Sequence, residues 1–184
     1  MALTITEFFA DELSYFYNNN FSIIGRFLFL ATDYENTFRA YLKCLATKYQ
    51  HYFCCEIKYF KDCNDDIKKL LEKIRKARFQ CLIDLFFDKI IKVDNVENYK
   101  NLFINAKNCR NFIAHELCIG INVEWEKDSF RTYLQDTVCN ECSDMVYCTL
   151  LMKQLISAYN KEPPVCDIEN SKERILKWAV STVE

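Results

Sequence analysis

Two histidines are the only side chains here that ordinarily titrate near neutral pH, so acid–base chemistry is sought at His51 or His115. His51 stands in KYQHYFCC and reads as a boundary residue near a helix end, where a cation suits the dipole. His115 stands in NCRNFIAHELCIG, with Arg110 five and Asn111 four residues before it. On an α-helix each residue turns about 100°, which sets Asn111 about 40° and Arg110 about 140° from His115. The long arginine side chain can swing back to that edge, while Phe112, Ile113 and Ala114 point mostly into the core. A guanidinium, an amide and an imidazole on one edge suit phosphodiester chemistry. Arginine holds a phosphate bidentately and offsets charge that builds in the transition state. Imidazole takes a proton from a ribose 2′-hydroxyl or gives one to the leaving oxygen, and an amide orients either group. With the 2′-hydroxyl as nucleophile no metal is required, and only RNA is cut. One edge supplies one histidine, whereas in-line cleavage prefers an acid and a base. A symmetric dimer pairing two such helices would bring two His115 and two Arg110 into one cleft.

Other motifs point less far. Cys139-Asn140-Glu141-Cys142 is half a zinc site without a completing pair at a recognised spacing; on a helix the two thiols share a face and read as core. Cys54-Cys55 and Cys63 bracket a loop and offer a weaker metal reading. Cys109 adjoins Arg110 but fits a buried row. The eleven cysteines are odd in number and most lie in helical apolar patterns, which suggests reduced thiols in a cytoplasmic protein. Two glycines cannot build a P-loop, a dinucleotide-binding turn or a nucleophile elbow.

The elements that must position the motif read as helices. A first runs from about Thr4 to Tyr17, with Thr4 and Glu7 spaced as a capping box. A second, capped by Asn20 or Ser22, carries Ile23, Ile24, Phe27, Ala31, Tyr34, Phe38, Tyr41, Leu42, Leu45 and Tyr49 at helical spacing and runs close to Phe53. A third, capped near Asn64, runs through Phe86 with Lys68, Lys69, Lys73, Arg75, Lys76 and Arg78 on its outer face. That face reads as solvated charge or as a surface for phosphates. The motif lies on a fourth, Val96 to about Leu117, capped by Asp94 or Asn95, with Gly120 as a stop beyond it. The stretch Ile119 to Trp125 could be extended. A fifth runs from Ser129 to Tyr159, Pro163-Pro164 break the chain, and Ser171 caps a last helix through Val183.

Two Gly and two Pro in 184 residues exclude a turn-rich all-β fold. A chain of 51% hydrophobic residues folds as one ordinary domain. The net charge of −2 gives no global positive field, so any nucleic-acid contact is local. The opening MALTITEFFADELSYFY lacks a basic leader and gains acids by Asp11 and Glu12, unlike a secretory signal. The longest apolar stretch, Phe27 to Ala31, is too short to cross a bilayer, and no membrane partner is expected.

Arg110-Asn111-Phe112-Ile113-Ala114-His115 resembles the R-x4-6-H motif of HEPN domains (higher eukaryotes and prokaryotes nucleotide-binding), with a polar residue directly after the arginine. ATDYENTFRAYL on the second helix resembles the helix that packs against the motif in that family, where Asp33 or Glu35 would face the cleft. The resemblance implies an all-α HEPN-like bundle of five to six helices, one domain over residues 1–184, commonly dimeric with the motif at the dimer cleft. It implies a metal-independent endoribonuclease of toxin–antitoxin, abortive-infection or phage-defence type. Arg110 and His115 would be catalytic and Asn111 would support them, with no cofactor and no metal. RNA would be the substrate and a neutralising antitoxin or regulatory partner is expected. Some members carry a tyrosine shortly after the histidine that a partner nucleotidyltransferase modifies; Glu116, Leu117, Cys118 and Ile119 stand there instead. The competing readings are a non-catalytic helical module that binds a nucleotide or a protein, and a zinc-stabilised regulator.

Overall fold

Apolar residues recurring every third or fourth position wind the longest helix, α1, Asn20–Lys48. Its stripe of Ile23, Ile24, Phe27, Leu30, Ala31, Tyr34, Phe38, Leu42 and Ala46 is buried. The computed structural model describes residues 20–63, 66–117, 128–164 and 167–181. After a kink at Tyr49 the chain continues as α2, Gln50–Glu56, and a 3₁₀ segment, Lys58–Cys63. Then come α3, Ile67–Lys76, and α4, Phe79–Leu85, which ends in a wide π turn, Phe86–Ile90. Helix α5, Val96–Asn111, runs into a second π turn, Phe112–Glu116. Helix α6, Asp128–Tyr133, a third π turn, Leu134–Val138, α7, Cys139–Glu141, and α8, Ser143–Asn160, follow almost end to end. Helix α9, Ile168–Val180, closes the described chain. Among the described residues every element is helical, so the all-α class holds.

A single core joins these elements. Helices α1, α5 and α9 all pack along α8, and α3 packs on α1. At its centre Phe38 meets Phe79, Phe86 and Phe103 at ring-centroid distances of 5.4, 5.5 and 5.7 Å. The first two contacts are edge-to-face, the arrangement that aromatic quadrupoles favour. Tyr34 lies beside them, its hydroxyl donating to the Phe103 carbonyl at 2.9 Å, and burial pushes its ionisation far up. The buried Arg26 closes the C-terminus of α9, donating to Ala179 O at 3.1 Å and Ser181 O at 2.7 Å.

Three boundaries differ from the sequence reading. The third helix, expected unbroken to Phe86, is cut at Ala77 and Arg78, both extended (ψ 147° and 136°). No glycine or proline marks the cut. Arg39 of α1 takes the carbonyls of Ile74 and Ala77 at 2.6 and 2.9 Å, which satisfies the end of α3. The chain can then turn Phe79 under, between Tyr34 and Phe38. The start of α3 is capped by Asp66, whose carboxylate accepts from the amides of Lys68 and Lys69 at 2.9 and 3.2 Å. The last helix begins at Ile168 under an Asp167 cap, so Ser171 lies inside it. Helix α8 stops before Pro163: Lys161 adopts φ 60° and Glu162 N bonds Ser157 O at 2.8 Å, a left-handed C-terminal closure. The helix expected over Thr4–Tyr17, the Asn64 cap, the Gly120 stop and the Ile119–Trp125 stretch lie outside the described residues.

Candidate functional site

The motif straddles a change in helical pitch. Arg110 and Asn111 end α5, and His115 sits in the π turn that follows. Phe112 O accepts from Leu117 N at 2.8 Å, a bond spanning five residues. Such a bond widens the turn, so each residue turns through less than the 100° of an α-helix, and the angle between Arg110 and His115 narrows from the α-helical value of about 140°. Arg110 Nη1 lies 3.4 Å from His115 Nε2 and 3.1 Å from Asn111 Oδ1. All three expected site residues are therefore together on one edge. Ile113 and Leu117, both buried, pin the turn to the core, while Ala114, His115 and Glu116 are exposed.

The acid left open between Asp33 and Glu35 is Glu35. Its Oε2 meets Arg110 Nη2 at 2.5 Å, and its Oε1 accepts from Arg39 Nη2 at 2.6 Å and Nε at 3.0 Å. Asp33 lies two residues, or about 200°, round α1, and pairs with Lys153 at 2.7 Å instead. Arg39 is the residue that the sequence reading missed. The Glu35–Arg39 spacing of four is a visible helix pair, but nothing local links it to a residue 75 positions away.

This arrangement fixes the arginine. Glu35 is 18% exposed and Arg110 25%, so their pair is shielded more than a surface pair but still meets water. With Nη2 taken by Glu35, the Nη1 side turns toward Asn111 and His115. A guanidinium only donates, so a hydrogen bond to His115 Nε2 requires that nitrogen to be an acceptor, with the ring proton on Nδ1.

The remaining candidates sit elsewhere. His51 is exposed in the first turn of α2, not at the helix end where a cation would suit the dipole, with Nδ1 3.5 Å from Cys55 Sγ. Cys142 is fully buried and lies 3.7 Å from Cys109 Sγ, while Cys139 points its thiol at Leu176 O. The hydrogen-bonded Cys109 thiol, followed by burial, pushes the Cys142 thiol far above its ordinary value. The nine described cysteines are free thiols. Among the described residues no three His, Cys, Asp or Glu side chains gather where a metal ion could be held. Among them, too, no helix is long and apolar enough to cross a membrane. No protein-family model matches this chain, and neither does any curated protein or solved structure.

Proposed function

We propose that this chain is a metal-independent endoribonuclease of the HEPN kind, acting as a homodimer whose two Arg110-Asn111-His115 edges form one cleft. The observation that carries this reading is the 3.4 Å approach of Arg110 Nη1 to His115 Nε2 on an exposed helix edge, with Glu35 and Arg39 bracing the arginine from behind. The helical fold, the lateness of the motif and the α1 acid at its back fit the resemblance as well.

In this mechanism Arg110 holds the scissile phosphate and offsets charge on its non-bridging oxygens. His115 takes the proton of the adjacent 2′-hydroxyl as the O2′–P bond forms. The P–O5′ bond breaks, and the second copy's His115, starting as the imidazolium, gives its proton to the departing O5′, so that one imidazole ends protonated and the other neutral. Asn111 and Glu35 act as positioning residues that keep the guanidinium on its rotamer. The products are a 2′,3′-cyclic phosphate and a 5′-hydroxyl. The resemblance to HEPN toxins adds a role in growth arrest or phage defence, held in check by a neutralising partner, and the many free thiols suit the cytoplasm.

One observation favours the competing reading of a non-catalytic module: the Glu35 carboxylate already occupies Arg110 Nη2 at 2.5 Å, where a phosphate oxygen would sit for bidentate binding. Purified protein incubated with total cellular RNA in excess EDTA separates the two. The ribonuclease reading expects fragments whose 5′ ends are labelled directly by polynucleotide kinase and whose 3′ ends resist ligation until the cyclic phosphate is opened and the remaining phosphate removed. Intact RNA, or cleavage that needs added metal and leaves 5′-phosphates, would overturn it.

A further inference from the structure

Helix α3 is the most strongly two-sided element of the described chain. Ile67, Leu70, Leu71 and Ile74 face the core, Leu70 and Ile74 being fully buried. Lys68, Lys69, Lys73, Arg75 and Lys76 spread over an arc of about 160° on the other side, and the exposed Arg78 follows. Residues 66–78 hold six cations against two acids, a local charge of +4 in a chain whose total is −2. Within the arc Glu72 is the single acid, shared between Arg75 at 2.7 Å and Lys76 at 2.9 Å. Lys73 meets Asp62 at 2.5 Å, and Lys69 donates to the Asp62 carbonyl. These cations outnumber the carboxylates that meet them, so a positive field stands over the face.

Two further observations say what that field suits. Tyr59, 37% exposed, lies at the edge of the face with Lys73 Nζ 4.7 Å from its ring centroid, so an aromatic surface borders the cations. At the other end, the carbonyls of Ile74 and Ala77 are held by Arg39, which holds Glu35, which holds Arg110. The basic helix and the candidate cleft are thus joined through one guanidinium and one carboxylate. We infer that the outer face of α3 is a track for single-stranded RNA, binding successive phosphates on Lys68, Arg75, Lys76 and Arg78, stacking a base near Tyr59, and leading the strand to Arg110 and His115.

The identity of the ligand rests on the ribonuclease reading; the surface does not. At about 15 Å, α3 has room for a few consecutive phosphates. Cations interleaved with an aromatic ring are what strand binding without sequence readout uses. A lipid surface fits less well, because the apolar side of α3 is spent in the core and nothing on its outer face could enter a bilayer.

The test is fluorescence anisotropy of the full chain with a 20-nucleotide 2′-O-methyl RNA, which cannot be cut by 2′-hydroxyl attack, over a series of salt concentrations. The quadruple variant Lys68→Gln, Arg75→Gln, Lys76→Gln and Arg78→Gln should bind roughly ten- to a hundredfold more weakly, with a logarithmic salt slope shallower by about 3. Glu72→Gln should act oppositely, tightening binding about threefold by releasing Arg75 and Lys76. A gain of affinity cannot come from misfolding. Wild type and quadruple variant binding equally would overturn the track. So would wild-type protein that ignores RNA but binds phosphatidylcholine–phosphatidylserine vesicles or polyglutamate. If the variants behave as expected but no RNA is cut, the track stands and the ribonuclease reading falls.

Discussion

His115→Ala is expected to lower RNA cleavage by roughly 10²–10⁴-fold, the usual contribution of a positioned acid or base. The fold should be indifferent to it. His115 is exposed, and its one described side-chain hydrogen-bond partner is Arg110 Nη1 at 3.4 Å, so unfolding free energy should move by no more than about 0.5 kcal/mol. Arg110→Lys makes a paired control. A lysine keeps the positive charge and can still meet Glu35, but it loses the planar fork that holds a phosphate and points at His115. Cleavage should fall with Arg110→Lys although the charge is retained. Initial rates on a defined RNA, with urea unfolding of each variant, check this. A His115→Ala protein that cuts as fast as wild type would remove the imidazole from the mechanism.

Phe38→Ala is expected to cost about 3–5 kcal/mol of stability, in the range for deleting a buried aromatic ring from a packed site. Phe38 has no exposed surface and touches three rings, Phe79 at the start of α4, Phe86 in the π turn that ends it, and Phe103 of α5. Its removal leaves a cavity that rigid neighbours close only in part. The damage should reach the site, because Glu35 and Arg39 flank Phe38 on α1 and Phe79 sits just past the carbonyls that Arg39 binds. Phe38→Leu, which keeps more of the volume, should cost less and leave cleavage nearer wild type. The midpoint of urea unfolding reads both. A loss below about 1 kcal/mol for Phe38→Ala would contradict a packed aromatic centre.

Where period decides, the sequence was a good guide. The apolar spacing of α1 is regular from Ile23 to Leu42, and burial follows it. The motif helix starts where expected, after Asn95, but the expected cap is not made: Asn95 takes a left-handed turn at φ 59°, which asparagine tolerates, and its side chain bonds no amide of the first turn. The break at Ala77 and Arg78 was not legible, because its cause is an arginine from another helix and a phenylalanine that packs elsewhere. The caps fall at Asp66 and Asp167, where the sequence reading has Asn64 and Ser171, residues that can cap a helix equally well by type. At the site, the shared edge of Arg110, Asn111 and His115 was legible, because a long arginine side chain can swing back across the angle of about 140° that separates it from His115 on an α-helix. The π turn between them has no local sequence mark. Glu35 was visible as an acid on the right helix, and only the packing of α1 against the π turn selects it over Asp33.

The central claim is that two copies of the edge at residues 110–116 face each other. A benzophenone amino acid in place of Ala114, an exposed position beside His115, tests it directly. After irradiation of the purified protein, the account predicts a covalent dimer whose cross-linked peptides map to residues 110–116 of the other copy. A chain that stays monomeric under irradiation, or that dimerises with cross-links at 114 only within its own chain, would contradict it.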